Sequence, residues 1–598
     1  MRRFRDMLKA KAWLLGAFVS CIFLFPACNS SSSDGNPAKG RIKTMILHLK
    51  EDPAGLNPVN TVGAETVNLH NLLFDHLIAL DPKSFLLVPR LAEAMPTVSE
   101  DKLGLTFKLR KGVFFADGQP LTSKDVVFSF KAIMNPYVAS APRRAELQNF
   151  SDCFATDDYT VVFKLRNSGP FNLNRLAINF FVIPKHIYDP NNLSDGYNAL
   201  DTQASAEIGD SINTPAKTAM MEFATFFDDE KFQRDKGYIV GSGRYVFEGW
   251  KSGQSVKLVK NLHYWNAASG SPFDQQGMDT LIYKIIPDIQ TAMQALKSGE
   301  IDFSDNFDPN QYAEEMSGAN YDRHFGKVSV PYPFYEYIGW NQNIKDSPEM
   351  NFFADRKVRW ALSHLVDVNE IVENFLHGTA KPITSMIYFD RPEYNKDLKV
   401  ISYDESKAKT LLQEAGWVDT DGNGTIDKTV QGQKTEFAFT LSYKRGNELR
   451  KSISRHIEDK FKRVGIKVEV QELDGSILLD RLKKHEIDAW LGGWVYDSDE
   501  QDQFSLFHSS QILNEGYNWG SYSSAAADSV MEQIVVEWDD AKRYALHREI
   551  QQILYDDQPY TLLFANSARI GWNKRLVNTG WYGQRPCYDP GQFRPAQQ

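Results

Sequence analysis

Residues 105–126 read LTFKLRKGVFFADGQPLTSKDV, and this stretch decides the fold class. Its first residues alternate apolar and polar side chains, which is typical of a half-buried strand, and residues 113–115 resume the alternation. An Asp-Gly pair then predicts a turn. Thr122 and Asp125 have the spacing of a capping box, in which a hydroxyl and a carboxylate satisfy backbone N–H groups where a helix begins. The stretch therefore predicts strand, turn and helix in close succession, as in an α/β protein.

The same mixture continues along the chain. Residues 44–50 and 466–471 have strand patterns, whereas residues 289–297 and 358–374 carry apolar residues at helical spacing. Residues 198–236 form a polar, helix-favouring stretch that we interpret as an insertion. The chain shows no internal repeat of 20–50 residues, so repeat architectures are excluded.

The N-terminus has the pattern of an export signal. Five basic residues precede an apolar run at residues 12–27, which is too short to cross a membrane comfortably. A small residue, Ala27, precedes Cys28, and a serine-rich run follows. This order resembles a bacterial lipoprotein processing site, so we expect a lipid on Cys28. An ordinary cleaved signal peptide with an incidental cysteine is the alternative.

Charge and cysteine content narrow the class of protein. With 67 Lys+Arg and 77 Asp+Glu the chain has a net charge of −10, which argues against a nucleic-acid binder. Hydrophobic residues make up 42% of the chain, so a large core is possible and global disorder is excluded. After removal of the signal and lipidation of Cys28, Cys153 and Cys587 remain. A disulfide between them is possible in an oxidising compartment, and the sequence leaves this open.

Several motifs appear in an order that resembles a known family. Residues 105–126 look like the signature of the family 5 extracellular solute-binding proteins of ABC importers, which bind oligopeptides, dipeptides and nickel complexes. Residues 241–245 (GSGRY) are similar to the family's Gly-Thr-Gly-Pro-Tyr turn, with Arg244 in place of proline. Residues 261–265 match its Asn-x-x-Tyr-Trp, and residues 356–362 resemble its Arg-Val-Arg-x-Ala-Leu helix.

The resemblance implies a fold and a domain organisation. The fold class is α/β, with two lobes of the periplasmic-binding-protein type, an extra small domain and a ligand cleft between the lobes. Two crossing segments join the lobes. The expected divisions are a signal peptide at 1–27, a disordered tether at 28–40, a discontinuous lobe I at 41–73, 181–335 and 556–598, a small domain at 74–180, and lobe II at 336–555.

The resemblance also selects ligand-binding candidates. Residues 493–504 are similar to a family segment that lies in the cleft, which selects Gly493, Trp494, Tyr496 and Asp497. Asp497 falls on the aspartate that pairs with the ligand's α-ammonium in peptide binders. A desolvated carboxylate suits that role because it fixes one end of a peptide and leaves the side chains unconstrained. A solvated loop carboxylate is the alternative interpretation.

Further candidates come from the same resemblance. Glu65 and Val67 fall in the segment whose backbone pairs with the ligand as an added strand in peptide binders. Tyr137 follows the first helix of the small domain, near the cleft. Trp340 and Asn341 lie near the expected hinge and offer an aromatic face and an amide. For Glu65, Tyr137 and Trp340, a surface charge or a packed aromatic ring is the alternative.

Residues 419–427 contain one candidate metal loop. Asp419, Asp421 and Asn423 provide oxygen ligands at the spacing of a calcium-binding loop, and Asp427 follows. The twelfth position is Val430, where a bidentate glutamate would be needed. A plain hairpin turn and a structural calcium site are therefore both open, and the pattern favours the turn.

The function favoured by the resemblance is ligand capture without catalysis. We expect a lipid-anchored receptor that closes on oligopeptides and delivers them to an ABC permease with its ATPase, as an exported monomer in the periplasm or on the outer surface. No cofactor is expected. A nickel complex, an oligosaccharide or an opine is the alternative ligand, and a sensory or scaffolding lipoprotein is the alternative role. An exported hydrolase is disfavoured because its usual nucleophile and metal motifs are missing from the sequence.

Overall fold

The computed structural model describes residues 43–202, 214–269, 271–305, 307–344, 351–430, 432–495, 503–513, 516–578 and 580–596. Within these ranges the strands are numbered in chain order. They are β1 (Thr44–Leu49), β2 (Ile78–Leu80), β3 (Leu87–Pro89), β4 (Thr97–Val98), β5 (Gly104–Lys108), β6 (Phe150–Asp157), β7 (Thr160–Leu165), β8 (Tyr245–Lys251), β9 (Ser255–Lys260), β10 (Thr280–Ile285), β11 (Phe303–Ser304), β12 (Phe325–Trp340), β13 (Lys381–Pro382), β14 (Asp427–Val430), β15 (Gln433–Glu436), β16 (Ala438–Lys444), β17 (Lys467–Leu473), β18 (Ala489–Val495), β19 (Tyr560–Asn573), β20 (Leu576–Val577) and β21 (Arg594–Pro595).

The α-helices of the described ranges are numbered in the same way. They are α1 (Ala64–Leu73), α2 (Ser123–Met134), α3 (Ala141–Glu146), α4 (Phe171–Asn179), α5 (Lys185–Tyr188), α6 (Pro215–Phe227), α7 (Lys231–Arg234), α8 (Ile289–Lys297), α9 (Ala319–His324), α10 (Arg356–His364), α11 (Val368–Leu376), α12 (Glu405–Glu414), α13 (Glu448–Lys462), α14 (Gly475–Lys483), α15 (Phe504–Phe507), α16 (Ala525–Val536) and α17 (Asp540–Asp557). Among the residues described, no helix is both long enough and apolar enough to cross a membrane.

One eleven-stranded sheet runs through both halves of the chain. Its order is β17-β16-β18-β12-β19-β11-β1-β10-β9-β8, with β13 also paired to β19. Parallel pairs occur on both sides of the centre, where β16 lies between β17 and β18, and β1 lies between β10 and β11. The centre itself is the antiparallel pair β12 and β19. The two halves of the sheet are therefore joined through these two long strands.

The antiparallel pair is continuous over most of its length. It extends from the pairing of Phe325 with Asn573 to that of Gly339 with Tyr560, interrupted by a bulge between Pro331 and Tyr335 and a shift after Glu336. The far end of β12 is fully buried, and Trp340 packs there against Phe353 in the core of the second half. These strands cross between the two halves of the chain, as the resemblance implies for the lobes. The predicted domain boundaries stay predictions.

A separate four-stranded sheet contains β5, the first element of the stretch at residues 105–126. Its order is β4-β5-β7-β6, and α2 packs beside it. The predicted capping box at the start of α2 is confirmed, because the Thr122 N–H donates to Asp125 Oδ2 at 2.9 Å. The strand predicted at residues 113–115 is wrong. That segment makes only an isolated bridge between Phe114 and Pro120, because consecutive turns on both sides leave no room for a longer ladder.

The helix predicted over residues 358–374 is two helices, α10 and α11. The first helix ends at His364, and Asp367 begins the second, because its carboxylate accepts the N–H of Glu370 at 3.0 Å as an N-cap. The apolar periodicity continues across the break, which is why the pattern alone predicts one helix. The helix predicted over 289–297 is confirmed at its stated ends as α8.

Gly339 provides a test of packing along the crossing strands. A Cβ built on Gly339 would lie 2.2 Å from Cζ2 of the buried Trp490, whereas a Cβ on Gly249 of β8 meets nothing within 4 Å. We expect Gly339→Ala to lower the free energy of unfolding by roughly 1–3 kcal/mol through overpacking. Gly249→Ala should leave it unchanged or slightly raised. Denaturant unfolding followed by circular dichroism measures both. Equal stability of the two variants would contradict the close packing of β12 on Trp490.

Candidate functional site

A cavity of about 980 Å³ lies against the first half of the sheet. Its described lining residues come from residues 62–332 and from residues 567–590, which include part of β19 and the segment after it. Among the described residues, none between 333 and 566 lines it. The cavity is therefore built by the first half of the chain and the C-terminal segment.

Two predicted site residues, Glu65 and Val67, line this cavity. Both belong to the first turn of α1, which begins after Gly63, a glycine at φ 135°. The Val67 N–H donates to the Gly63 carbonyl at 2.9 Å. The helix therefore already uses the N–H group that would pair with a ligand strand, and the ligand-binding role of Val67 stays a prediction. Glu65 instead presents a half-buried side chain.

A buried ion-pair network supports the cavity wall. Arg90 donates to Asp274 at 2.8 Å and to Asp75 at 3.2 Å. The hydroxyl of Tyr264 donates to Asp274 at 2.7 Å, and the Trp265 indole donates to Asp75 at 2.9 Å. The attraction of both carboxylates raises the pKa of Arg90 despite its burial. Every charge in this network has a partner, which offsets the cost of burying it.

The turn at residues 241–245 packs closely against the C-terminal end of α1 and the residues that follow it. Ser242 donates to Asp75 at 3.0 Å, and a Cβ on Gly243 would lie 2.5 Å from the Leu72 carbonyl oxygen, so only glycine fits. Arg244, which replaces the family's proline, forms a buried ion pair with Asp589 at 2.8 Å. This pair joins the turn to the C-terminal segment that closes the cavity.

Arg143 is a buried arginine in the cavity wall, and only 3% of its surface is exposed. Its Nη1 donates to Asn179 at 3.3 Å, and the guanidinium lies 5.2 Å from the Phe181 ring centre. Nε and Nη2 have no hydrogen-bond partner among the described residues and are shielded from solvent. Burial accordingly lowers the pKa of Arg143 to about 10. No motif in the local sequence indicates a site at this residue.

A second charged group of residues lies beside the first turn of α1. Burial raises the pKa of Asp305 to about 7, and the negative charge of Glu65 adds to this effect. Burial also raises the pKa of Glu65, and the nearby Arg585 opposes the shift in both carboxyl groups. The cavity therefore offers carboxyl groups close to an arginine, an arrangement that suits polar or zwitterionic ligands.

The predicted segment at residues 493–504 belongs to the second half of the chain. Gly493 lies on β18, where a Cβ would meet Arg450 Nη2 at 2.7 Å, so its close packing requires glycine. The Trp494 ring lies 5.3 Å from that of Trp519 and 5.6 Å from that of Tyr517. Tyr496 and Asp497 lie outside the described residues. The roles of this segment stay predictions.

The remaining candidates pack elsewhere. Trp340 is fully buried and its indole donates to Thr561 at 3.0 Å. Asn341 is also fully buried and donates to the carbonyls of His485 and Ile487, both at 3.0 Å. Tyr137 is half-buried against the core of the first half. None of the three is among the described residues that line the cavity, so the structure gives them packing contacts and does not bring them together with Glu65.

The two remaining cysteines are both free thiols and both buried. Cys153 lies on β6, whereas Cys587 lines the cavity. Burial raises the pKa of both thiols. The possible disulfide is therefore not formed in this structure.

In the candidate calcium loop, backbone N–H groups of the loop already donate hydrogen bonds to the Asp419 carboxylate. The carboxylate of Asp419 accepts the N–H groups of Gly422 and Gly424 at 2.8 and 2.9 Å. Oxygens of Asp419, Asp421 and Asp427 lie within 4.8 Å of one another and could in principle hold a cation. However, the Lys434 ammonium already contacts Asp421 and lies 3.4 Å from Asp427. The arrangement supports the interpretation as a turn.

Asp305 provides a test that depends on pH. Its raised pKa means that the folded protein keeps a proton that the unfolded chain loses near pH 4, so stability falls as pH rises toward 7. We expect Asp305→Asn to match the parent near pH 4 and to exceed its stability at pH 8 by on the order of 2 kcal/mol. Chemical denaturation at both pH values measures this difference. The exposed Asp322→Asn is the control, and a gain that is the same at both pH values would contradict the assignment.

The loop at residues 419–427 provides a second test. Because the Lys434 ammonium already contacts two of the three carboxylates, we expect 1 mM calcium chloride and 1 mM EDTA to give melting temperatures within about 1 °C of each other. Differential scanning fluorimetry measures this. A calcium-dependent rise of several degrees that disappears in Asp421→Asn would establish a calcium site instead.

Comparison with known proteins agrees with this architecture. The oligopeptide-binding protein AppA of Bacillus subtilis is 29% identical over 594 residues, covering 98% of this chain and 97% of AppA. The structure of AppA with a nonapeptide covers 93% of this chain and 99% of AppA with a TM-score of 0.62 at 28% identity. Heme-binding protein A of Haemophilus influenzae is 24% identical over 594 residues, covering 92% of this chain and 93% of the relative.

A structure with another kind of ligand has the same fold. NikZ of Campylobacter jejuni, solved with Ni(L-His), covers 92% of this chain and 99% of NikZ with a TM-score of 0.64 at 23% identity. The predicted two-lobed α/β fold is thereby confirmed. Residues 87–513, more than half of the chain, match the family described as bacterial extracellular solute-binding proteins, family 5 Middle. The chain therefore belongs to the family 5 bacterial extracellular solute-binding proteins.

Proposed function

We propose that this protein is the substrate-binding component of an ABC importer and captures oligopeptides. The observation that carries the proposal is a cavity of about 980 Å³ lined by both carboxyl and guanidinium groups, in a chain related to AppA along nearly its whole length. A cavity at the upper end of the usual range for small ligands has room for a short peptide. Charges of both signs suit a ligand that carries an ammonium group and a carboxylate.

Capture follows from the two crossing strands. Since β12 and β19 join the halves, a small change in their backbone angles moves the second half toward the cavity. In this proposal the closing half brings the segment at residues 493–504, and Asp497 pairs with the ligand's ammonium group. Binding energy arises from burial and charge pairing, with no bond made or broken, so the protein acts as a receptor and not as an enzyme.

The proposed site of action is outside the cytoplasmic membrane. Export by the N-terminal signal and a lipid on Cys28 would hold the monomer at the periplasmic or outer surface of a membrane. The closed receptor then delivers its ligand to permease subunits driven by a cytoplasmic ATPase.

A non-peptide ligand that carries carboxylates is the second candidate. Arg569 lines the cavity and is half-buried, and no carboxylate oxygen of the described residues lies within 4.0 Å of its guanidinium. A metal chelate or an opine would match that chemistry without using Asp497.

A soluble form that begins after Cys28 tests the proposal. We expect a mixture of random short peptides to raise its melting temperature, because ligand at 100 times Kd adds about 2.7 kcal/mol of stability. N-acetylated peptides and the Asp497→Ala variant should lose most of this rise. Differential scanning fluorimetry gives the readout.

Asp499→Ala is the matched control for Asp497→Ala, because it removes the same charge two residues away. A rise that is equal in both variants would contradict the role of Asp497. A rise with metal chelates or haem, and none with peptides, would replace the proposed ligand.

A further inference from the structure

Arg569 lies on the crossing strand β19 and presents its side chain to the cavity. Its Nε donates to the carbonyl of the buried Phe307 at 2.8 Å. Nη1 makes only long contacts, 3.4 Å to Asn566 and 3.5 Å to Thr379. The guanidinium is thus held in place by one good hydrogen bond, and most of its donor capacity is left for another group.

No carboxylate of the described residues lies within 4.0 Å of Arg569, although the side chain is half-buried. Burial lowers its pKa, and the more distant Asp308 only partly opposes this effect. The carboxylate of Asp308 is already used, because it accepts the Gln311 N–H at 2.8 Å. A partly desolvated cation without an ion-pair partner gains more from an incoming anion than a solvated cation does.

The neighbouring Ser567 is a second unpartnered group. It lies two residues before Arg569, so the two side chains project from the same face of β19. Ser567 also lines the cavity, only 2% of its surface is exposed, and its Oγ has no hydrogen-bond partner among the described groups. Buried hydroxyls are normally satisfied, so a polar ligand atom that reaches this part of the wall would gain a hydrogen bond from Ser567.

A second guanidinium faces the same corner of the cavity. The bulge between Pro331 and Tyr335 on β12 includes Tyr332, and Arg585 lies 5.5 Å above the Tyr332 ring. Arg569 and Arg585 both act on the pKa of the Tyr332 hydroxyl and oppose its rise on burial. Both arginines line the cavity, and Arg585 lies beside the bulge.

The other arginines of the cavity are less suited to a ligand. Arg90 and Arg244 are already paired with aspartates. The free N–H groups of Arg143 are enclosed, with Phe181 against the guanidinium. Arg569 is half-buried and Arg585 is exposed, so both can be reached from the cavity.

We propose that Arg569 and Arg585 bind a carboxylate of the captured ligand at the crossing strands, with Ser567 as an additional donor. This inference rests on the proposed function and names the end of the peptide that binds there. The carboxylate is supplied either by the C-terminus of the peptide or by an Asp or Glu side chain. Glu65 and Asp305 also attract Arg585, so a ligand carboxylate would compete with these two carboxyl groups for Arg585. At Arg569 no carboxylate of the described residues lies within 4.0 Å, so the ligand carboxylate has no such competitor there.

The test compares three pentapeptide libraries on the soluble form that begins after Cys28. One has free C-termini and all residue types, one is C-terminally amidated, and one has free C-termini but lacks Asp and Glu. Native mass spectrometry and fluorescence titration measure capture by the parent, Arg569→Gln, Arg585→Gln and the control Arg323→Gln. Arg323 is an exposed residue of α9 outside the cavity lining, and its replacement removes the same charge.

We expect Arg569→Gln to weaken binding of carboxylate-bearing peptides about 10- to 100-fold, as loss of a charged hydrogen-bonding partner does. Arg585→Gln should have a smaller effect and Arg323→Gln none. Amidation should abolish the difference between the parent and Arg569→Gln if the C-terminus is bound, and removal of Asp and Glu should abolish it if a side chain is bound. The melting temperatures of the ligand-free variants report whether each one folds. If Arg569→Gln does not fold, Arg585→Gln still tests the site, because this substitution breaks no described hydrogen bond.

Two results would overturn the inference in different ways. If the parent captures peptides and both arginine variants bind every library as the parent does, the carboxylate site is wrong and the proposed function stands. If the parent captures no peptide from any library, the proposed function fails and the inference fails with it.

Discussion

The pairing of β12 with β19 is the constraint on which the rest of the structure depends. These strands contribute to both halves of one sheet, so each must satisfy two cores at once. At one end Trp340 and Phe564 belong to the core of the second half, and at the other Ile570 belongs to that of the first. Because every backbone group in the middle of a sheet requires a partner, neither half can separate from the pair without losing ladder hydrogen bonds. The closure that we propose therefore requires these strands to bend and to stay paired.

The cavity lies beside this pair of strands. Charged side chains are buried in its wall in two different ways. Arg90 and Arg244 are neutralised by aspartates, and these pairs connect segments far apart in the chain. Removing one member of such a pair would leave an uncompensated buried charge, which is strongly destabilising. Arg143, which is buried, and Arg569, which is half-buried, have by contrast no carboxylate within 4.0 Å among the described residues. The first kind of burial builds the wall, and the second leaves a preference for anions on its surface.

Local chemistry explains which elements the sequence predicts well. The capping box at Thr122 and the strong periodicity of α8 depend on neighbouring residues only, and both are confirmed. The division between α10 and α11 was missed because Asp367 caps a helix without interrupting the apolar pattern.

The site was harder to predict because its residues come together only through tertiary contacts. Glu65, one of the predicted residues, lines the cavity, whereas Asp305 and Arg569 carry no local signal of their position. Trp340 shows the reverse problem, since an aromatic residue at the expected hinge is equally suited to a core. One usable signal was present, because Arg244 departs from the family's proline, and a charged residue at a tight turn suggests a buried partner.

The place of β19 in the sheet has a consequence for the order of assembly. The first half of the sheet has β11 paired to β1 on one side and to β19 on the other, and the Arg244–Asp589 ion pair joins residues 345 positions apart. A chain that crosses a membrane from its N-terminus releases residues 560–596 last. Until then β11 lacks one of its two neighbours and the guanidinium of Arg244 lacks its carboxylate. The first half therefore completes its fold only after the whole chain has emerged, and contacts of such long range make that final step slow.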